Sequence, residues 1–175
     1  MEKYIEHHGI EGMHWGVRLG PPYPLSKEAA AVKSLLKKLN NISYKEFDTL
    51  MSPEQVLKTG SGSCHDQVMY EYDELKKAGI DPNIIFFIEA DKNGQGGETH
   101  SLISFELNGK VFWLENAWED NKGLHSYKTE KELVKDVVRK WNKKKQFPFV
   151  YDGVLNYNDL KPGMDLQDII NKVKF

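Results

Sequence analysis

A thiol, an imidazole and a carboxylate follow one another in this chain in an order that suits nucleophilic catalysis. Cys64 is the only cysteine and sits directly after Gly60-Ser-Gly-Ser63; His100 lies well downstream, and Glu115 follows it fifteen residues later. A thiolate can attack a carbonyl carbon, an imidazole can carry the proton, and an acid can hold that imidazole in one orientation. Taken singly, each residue has a plainer reading. A lone cysteine is usually a small buried apolar residue. A strand histidine usually has a satisfied hydrogen bond, and a strand glutamate is usually exposed. The three together, with the glycine-serine run ahead of the thiol, favour the catalytic reading. His65 and His125 are the other imidazoles that could serve as the base.

The thiol needs a rigid mount, and the local sequence predicts a helix start. Ser63 is a good N-cap, and Asp66 three residues on completes a capping-box-like pattern. Cys64 then becomes the first helical residue, where free N–H groups and the helix dipole favour an anion and lower the thiol pKa. Its own backbone N–H is the expected oxyanion donor. Gly60 and Gly62 allow close backbone approach or positive φ. The helix is expected to run to Ala78, with Gly79 as the C′ residue and Val68, Tyr72 and Leu75 facing the core.

The imidazole and the acid fall on a predicted hairpin. Residues 99–107 and 110–118 flank Asn108-Gly109, the strongest two-residue turn signal. A two-residue loop pairs Leu107 with Lys110. That register puts His100 and Glu115 on one face as diagonal neighbours, roughly 7–8 Å apart at the backbone. Asn116 then points to the opposite face, so Glu115 is the expected partner of His100. Trp113 shares the His100 face and is a candidate wall of a substrate site, with a core position as its plainer reading. Trp118 is expected to face away.

The remaining elements predict an α+β fold in which the cysteine helix packs on an antiparallel sheet, with flanking helices. Ser26 can cap a helix to about Leu39, and Ser52-Pro53 starts a short one. Residues 44–50 read as a short helical or extended piece, and residues 83–90 as a buried central strand. Asp91 to Gly97 reads as a polar loop. Thr129 to Lys143 predicts a helix burying Leu133, Val134, Val137, Val138 and Trp141. Phe147 to Leu155 can add a strand, and Asp165 caps a last helix through Val173.

With 175 residues the chain can build one sizeable core, and its net charge of −2 gives no push toward nucleic acid or an anionic membrane. One cysteine excludes an intrachain disulfide. Residues 1–25 lack an apolar signal-peptide region, and no stretch is long enough to span a bilayer. The expectation is therefore a cytoplasmic protein with no membrane or nucleic-acid partner.

Residues 1–25 read as a segment separate from the domain at 26–175. His7, His8 and His14 raise the possibility of a metal site, but no thiolate or suitably spaced carboxylate completes a ligand pattern. No metal or cofactor is expected. His7-His-Gly-Ile-Glu-Gly-Met-His-Trp-Gly-Val-Arg18, followed by Gly20-Pro-Pro-Tyr-Pro24, resembles a short motif of phage and prophage proteins, many of them head-associated. The resemblance implies a phage or prophage origin, hence a bacterial host cytoplasm or association with a virion, and a phage or host protein as a candidate partner of this segment.

Pro53-Glu-x-x-Leu-x-x-Gly-x-Gly-x-Cys64-x-Asp, then helix, strand and His100 with its acid, resembles the transglutaminase-like superfamily of papain-like thiol enzymes. The likeness spans roughly residues 50–140. It is nearest to small bacterial members with a Thr-His-Ser strand and a Trp-Leu-Glu-x-x-Trp strand, and Gly123-Leu-His-Ser-Tyr127 also fits. It implies Cys64 as nucleophile, His100 as base and Glu115 as acid, with glutamate a mild departure from the aspartate common in the superfamily. Gln67 also matches, and its amide is a candidate substrate contact, with a helix-surface glutamine the equal alternative. The implied activity is acyl transfer on a protein or peptide amide. Hydrolysis and transamidation both remain open, the small domain without a calcium-ligand cluster favouring hydrolysis. The rival reading is a non-catalytic virion-associated or host-factor-binding protein that keeps the fold.

Overall fold

The Asn108-Gly109 turn sets the register of the central sheet. In the computed structural model, which describes residues 26–93, 96–142 and 149–175, Asn108 and Gly109 take φ of 53° and 73°. Both values are those a tight two-residue hairpin demands. Strand β4 (Gly96–Leu107) pairs antiparallel with β5 (Lys110–Glu115) through Leu107↔Lys110 to Ile103↔Leu114. The ladder stops there, short of the expected Trp118. Strands β3 (Pro82–Ala90), β6 (Gly123–Tyr127) and β7 (Phe149–Leu155) complete an antiparallel sheet of order β6-β5-β4-β3-β7.

Helices cover both faces. The continuous apolar run of β3 splits by alternation. Ile84 and Phe86 join the core formed with α1 (Lys27–Leu39), α2 (Pro53–Thr59) and α3 (Cys64–Lys77), which takes Val32, Leu35, Val56, Val68 and Leu75. Ile85 and Phe87 face the other way, packing with Leu102, Val111 and Trp113 against Leu133, Val137 and Trp141 of α4 (Glu130–Trp141). A strand buried on both faces needs such an unbroken apolar run. Each fully buried Ile or Phe contributes roughly 1.5–3 kcal/mol relative to exposure. A short α5 (Leu166–Ile170), capped by Asp165, ends well before Val173. Among the described residues the fold is thus α+β, with five α-helices and one five-stranded antiparallel sheet. No described helix is long and apolar enough to cross a membrane.

The segment expected as a short helix or strand at 44–50 forms only β1 (Ser43–Tyr44), paired in parallel with β2 (Ser61–Gly62). That bridge bears directly on the site, because it pins residues 43–45 to the loop ahead of Cys64. Residues 1–25, with His7, His8 and His14, lie outside the described residues.

Candidate active site

The loop that delivers Cys64 is built by the two glycines in different ways. Gly60 caps α2 at φ 63°, a left-handed conformation that side chains resist. Gly62 has no such φ; a Cβ there would lie 2.9 Å from the Asp66 Cβ, so the constraint is close approach. The Ser43 and Lys45 amides donate to the Gly60 and Gly62 carbonyls at 3.0 and 3.1 Å. Ser63 then caps α3, with the Ser63 hydroxyl accepting from the Asp66 amide and Asp66 Oδ2 accepting from the Ser63 amide at 2.8 Å. Asp66 Oδ1 also accepts from the Met51 amide at 2.7 Å. Cys64 is the first residue of the helix, so its N–H has no intrahelical acceptor.

On the sheet side, the Nε2–H of His100 donates to Glu115 Oε2 at 2.8 Å. The carboxylate is held by three further donors. Trp113 Nε1–H reaches Oε2 at 3.2 Å, and the Ala117 and Trp118 amides both reach Oε1 at 2.8 Å. Both oxygens are therefore saturated, and the imidazole orientation is set by an acid that cannot itself swing. His100 and the Cys64 thiol line the same cavity, close enough for each to shift the other's pKa. With Nε2 committed to Glu115, Nδ1 is the nitrogen left for the thiol. Cys64, His100 and Glu115 are all buried, at 5%, 6% and 4% exposure.

The electrostatics favour a charged pair. Burial pushes the Cys64 thiol up, but the neighbouring His65 and the hydrogen bond from His100 outweigh it and bring it well below the ordinary thiol value. Burial lowers His100, yet the Glu115 carboxylate and the Cys64 hydrogen bond raise it above the ordinary imidazole value. Both shifts act toward the thiolate–imidazolium form.

Cys64 and His100 open into a cavity of about 220 Å³, also lined by Tyr44, Glu98, Thr99, Ala117, Trp118 and Trp141. The edges of Trp118 and Trp141 abut His100 at 5.8 and 5.6 Å between ring centroids. The Trp141 indole N–H donates to the buried Glu89, which anchors that ring from beneath.

Several expectations from the sequence change here. Trp113 does not wall the cavity: it is fully buried beneath α4 and serves Glu115 through its indole N–H. Trp118 does not face away, because strand alternation ends with the ladder and the Glu115 carboxylate turns residues 116–118 back. Gln67 is neither on the helix surface nor in the cavity lining. It is buried, its amide donating to the Gly62 carbonyl at 2.8 Å and accepting from Asn116 at 2.6 Å. It therefore braces the loop ahead of Cys64. Asn116 lies on the side opposite His100, donating also to the Ile42 carbonyl at 3.1 Å.

His65 is nearer the chemistry than its helical direction suggested. Its Nδ1 meets the Ser101 hydroxyl at 2.8 Å and its Nε2 the Thr99 hydroxyl at 3.2 Å, and the ring lies close enough to Cys64 to pull the thiol pKa down. His125 stacks on Trp113 at 4.4 Å and bonds the Asn121 carbonyl, away from the thiol. Tyr44 and Trp141 were invisible as site residues. A two-residue parallel bridge and a helix distant in sequence bring them in, and neither leaves a local signature. Among the described residues no group of three or more His, Cys, Asp or Glu is placed to hold a metal ion.

Comparison with protein-family models finds no match for this chain, and comparison with curated proteins finds none either.

Proposed function

We propose that the protein is a thiol acyltransferase or hydrolase acting on a protein or peptide amide. The observation that carries the proposal is the Cys64 thiol and the His100 imidazole meeting in one cavity, with Glu115 locked onto His100 Nε2 at 2.8 Å. The Cys64 thiolate attacks the amide carbonyl carbon, and the new C–S bond pushes charge onto the carbonyl oxygen. The Cys64 backbone N–H, at the helix start, is the donor nearest that oxyanion. Collapse of the intermediate breaks the C–N bond while His100 gives its proton to the departing amine. Water, or a second amine, then attacks the thioester; His100 takes its proton and the thiolate leaves. Glu115 holds the imidazolium throughout.

The cysteine helix on an antiparallel sheet, with the order thiol, imidazole, acid, supports a transglutaminase-like, papain-related assignment. The motif at residues 7–24 supports a phage or prophage source, with residues 1–25 as the segment that engages a phage or host protein.

The test is the pH dependence of iodoacetamide alkylation. The Cys64 midpoint is expected at least one pH unit below the usual value of about 8.5. His100→Ala is expected to move it upward by a unit or more. An ordinary midpoint indifferent to His100→Ala would overturn the catalytic reading.

A further inference from the structure

The composition of the cavity specifies what kind of group it accepts. Among the described residues that line it, none is lysine or arginine, and Glu98 contributes an exposed carboxylate. Tyr44, Trp118 and Trp141 supply three aromatic rings. A second carboxylate lies at the rim, where Glu46 Oε1 accepts from the Tyr44 hydroxyl at 3.1 Å. Among the described residues, two neighbouring cations are turned onto rings outside the cavity lining: the Lys45 ammonium lies over the Phe47 ring at 5.2 Å and that of Lys140 over Trp113 at 4.8 Å. Burial, then the negative charge of Cys64, the hydrogen bond and charge of Glu46 and the charge of Glu98, push the Tyr44 phenol up, so these groups share one field. Among the described residues, Glu98 in the lining and Glu46 on Tyr44 thus put carboxylates beside the aromatic rings of the cleft.

Carboxylates beside aromatic faces form a site for cations, because ring quadrupole and anion act in the same direction. We infer that the cleft selects substrates carrying a positively charged side chain, of lysine or arginine type, beside the attacked amide, with Glu98 as the residue that sets this preference. The inference rests on the acyl-transfer reading for the word substrate, but the charge selectivity can be measured without it.

The measurement uses methanethiosulfonates of different charge on the full chain. The Cys64 thiolate attacks the sulfenyl sulfur, a mixed disulfide forms, and methanesulfinate leaves with the electron pair of the broken S–S bond. Rates with the trimethylammonium-ethyl, sulfonatoethyl and neutral methyl reagents are each divided by the rate with 2-mercaptoethanol. The normalised cation-to-anion ratio is expected to be about 10-fold or more above unity at low salt, falling as salt is added. Glu98→Gln should reduce it several-fold, and Glu98→Lys should bring it to unity or below. A normalised ratio near unity in the native chain, or one that ignores both Glu98 substitutions, would overturn the inference. Failure of the acyl-transfer reading looks different: all three reagents, the neutral one included, would then react with an ordinary thiol midpoint, whatever their charge ratio.

Discussion

Two imidazoles flank one thiol, and their surroundings divide the labour between them. His100 is held by Glu115 through Nε2, which leaves Nδ1 for the thiol, and in the proposed reaction it is the proton carrier. His65 has both nitrogens on hydroxyls, at 2.8 and 3.2 Å, and its ring lies against Phe86 at 5.6 Å between centroids. It acts on the thiolate as a fixed neighbour. His65→Asn is therefore expected to raise the alkylation midpoint of Cys64 while leaving the limiting alkaline rate within about threefold. His100→Asn should lower acyl transfer on a peptide amide by about 10³-fold or more at every pH, a split that rate–pH profiles would resolve. Glu115→Gln keeps the shape but replaces one acceptor by a donor facing His100 or the Trp113, Ala117 and Trp118 N–H groups. A fall of about 10²-fold is expected, recovered in part by Glu115→Asp if the shorter acid still reaches Nε2.

Elements explain why those residues meet. The α2–α3 loop carries a left-handed turn at Gly60 and a contact too close for a Cβ at Gly62, and both must hold for Ser63 to cap α3. Gly62→Ala should destabilise the fold by about 1–3 kcal/mol, through the 2.9 Å approach to Asp66, and should also raise the Cys64 midpoint as the helix start shifts. Gly60→Ala strains backbone alone and should cost about 1 kcal/mol with little effect on the thiol. Urea denaturation beside alkylation kinetics separates the two outcomes. The helix start was legible because capping is local chemistry: Ser63 and Asp66 meet across a single turn. The hairpin was equally legible, since Asn108-Gly109 sets a register that puts His100 and Glu115 on one face. The faces of Trp113 and Trp118 were less so. Alternation holds only while strands pair, and it cannot reveal that a helix will cover Trp113 or that Glu115 will bend the chain at Ala117 and Trp118.

At the scale of the whole molecule, the buried acid Glu71 has no part in the proposed chemistry. Glu71 lies on α3 two turns beyond Cys64 and is 2% exposed. Burial, reinforced by the Glu115 charge, pushes its carboxyl well above the usual carboxylate range. The native state therefore binds a proton that the unfolded chain has already released, so stability falls as pH rises above the unfolded value of about 4.3. The fall levels off once pH passes the raised native value. Glu71→Gln removes that loss. Its melting temperature at pH 7–8 is expected to exceed the native chain's by several degrees, at about 2–4 °C per kcal/mol for this size, with a smaller gain at pH 4. A lower melting temperature across the range would show instead that the ionised carboxylate is stabilising.

The sequence by itself determined the pieces whose causes are short-range: capped helices, the tight turn, the buried strand, and the order of thiol, imidazole and acid along the chain. Only the tertiary structure decided how that triad is enclosed. Tyr44 arrives through a parallel bridge, Trp141 on a helix laid across the far face of the sheet, and His65 through hydroxyls on β4. Those contacts join residues far apart along the chain and depend on which face each layer covers, which no local periodicity encodes. The same closure made supports of Gln67 and Trp113, which the sequence offered only as candidate substrate contacts, and set Glu98 in a lining shared with aromatic rings.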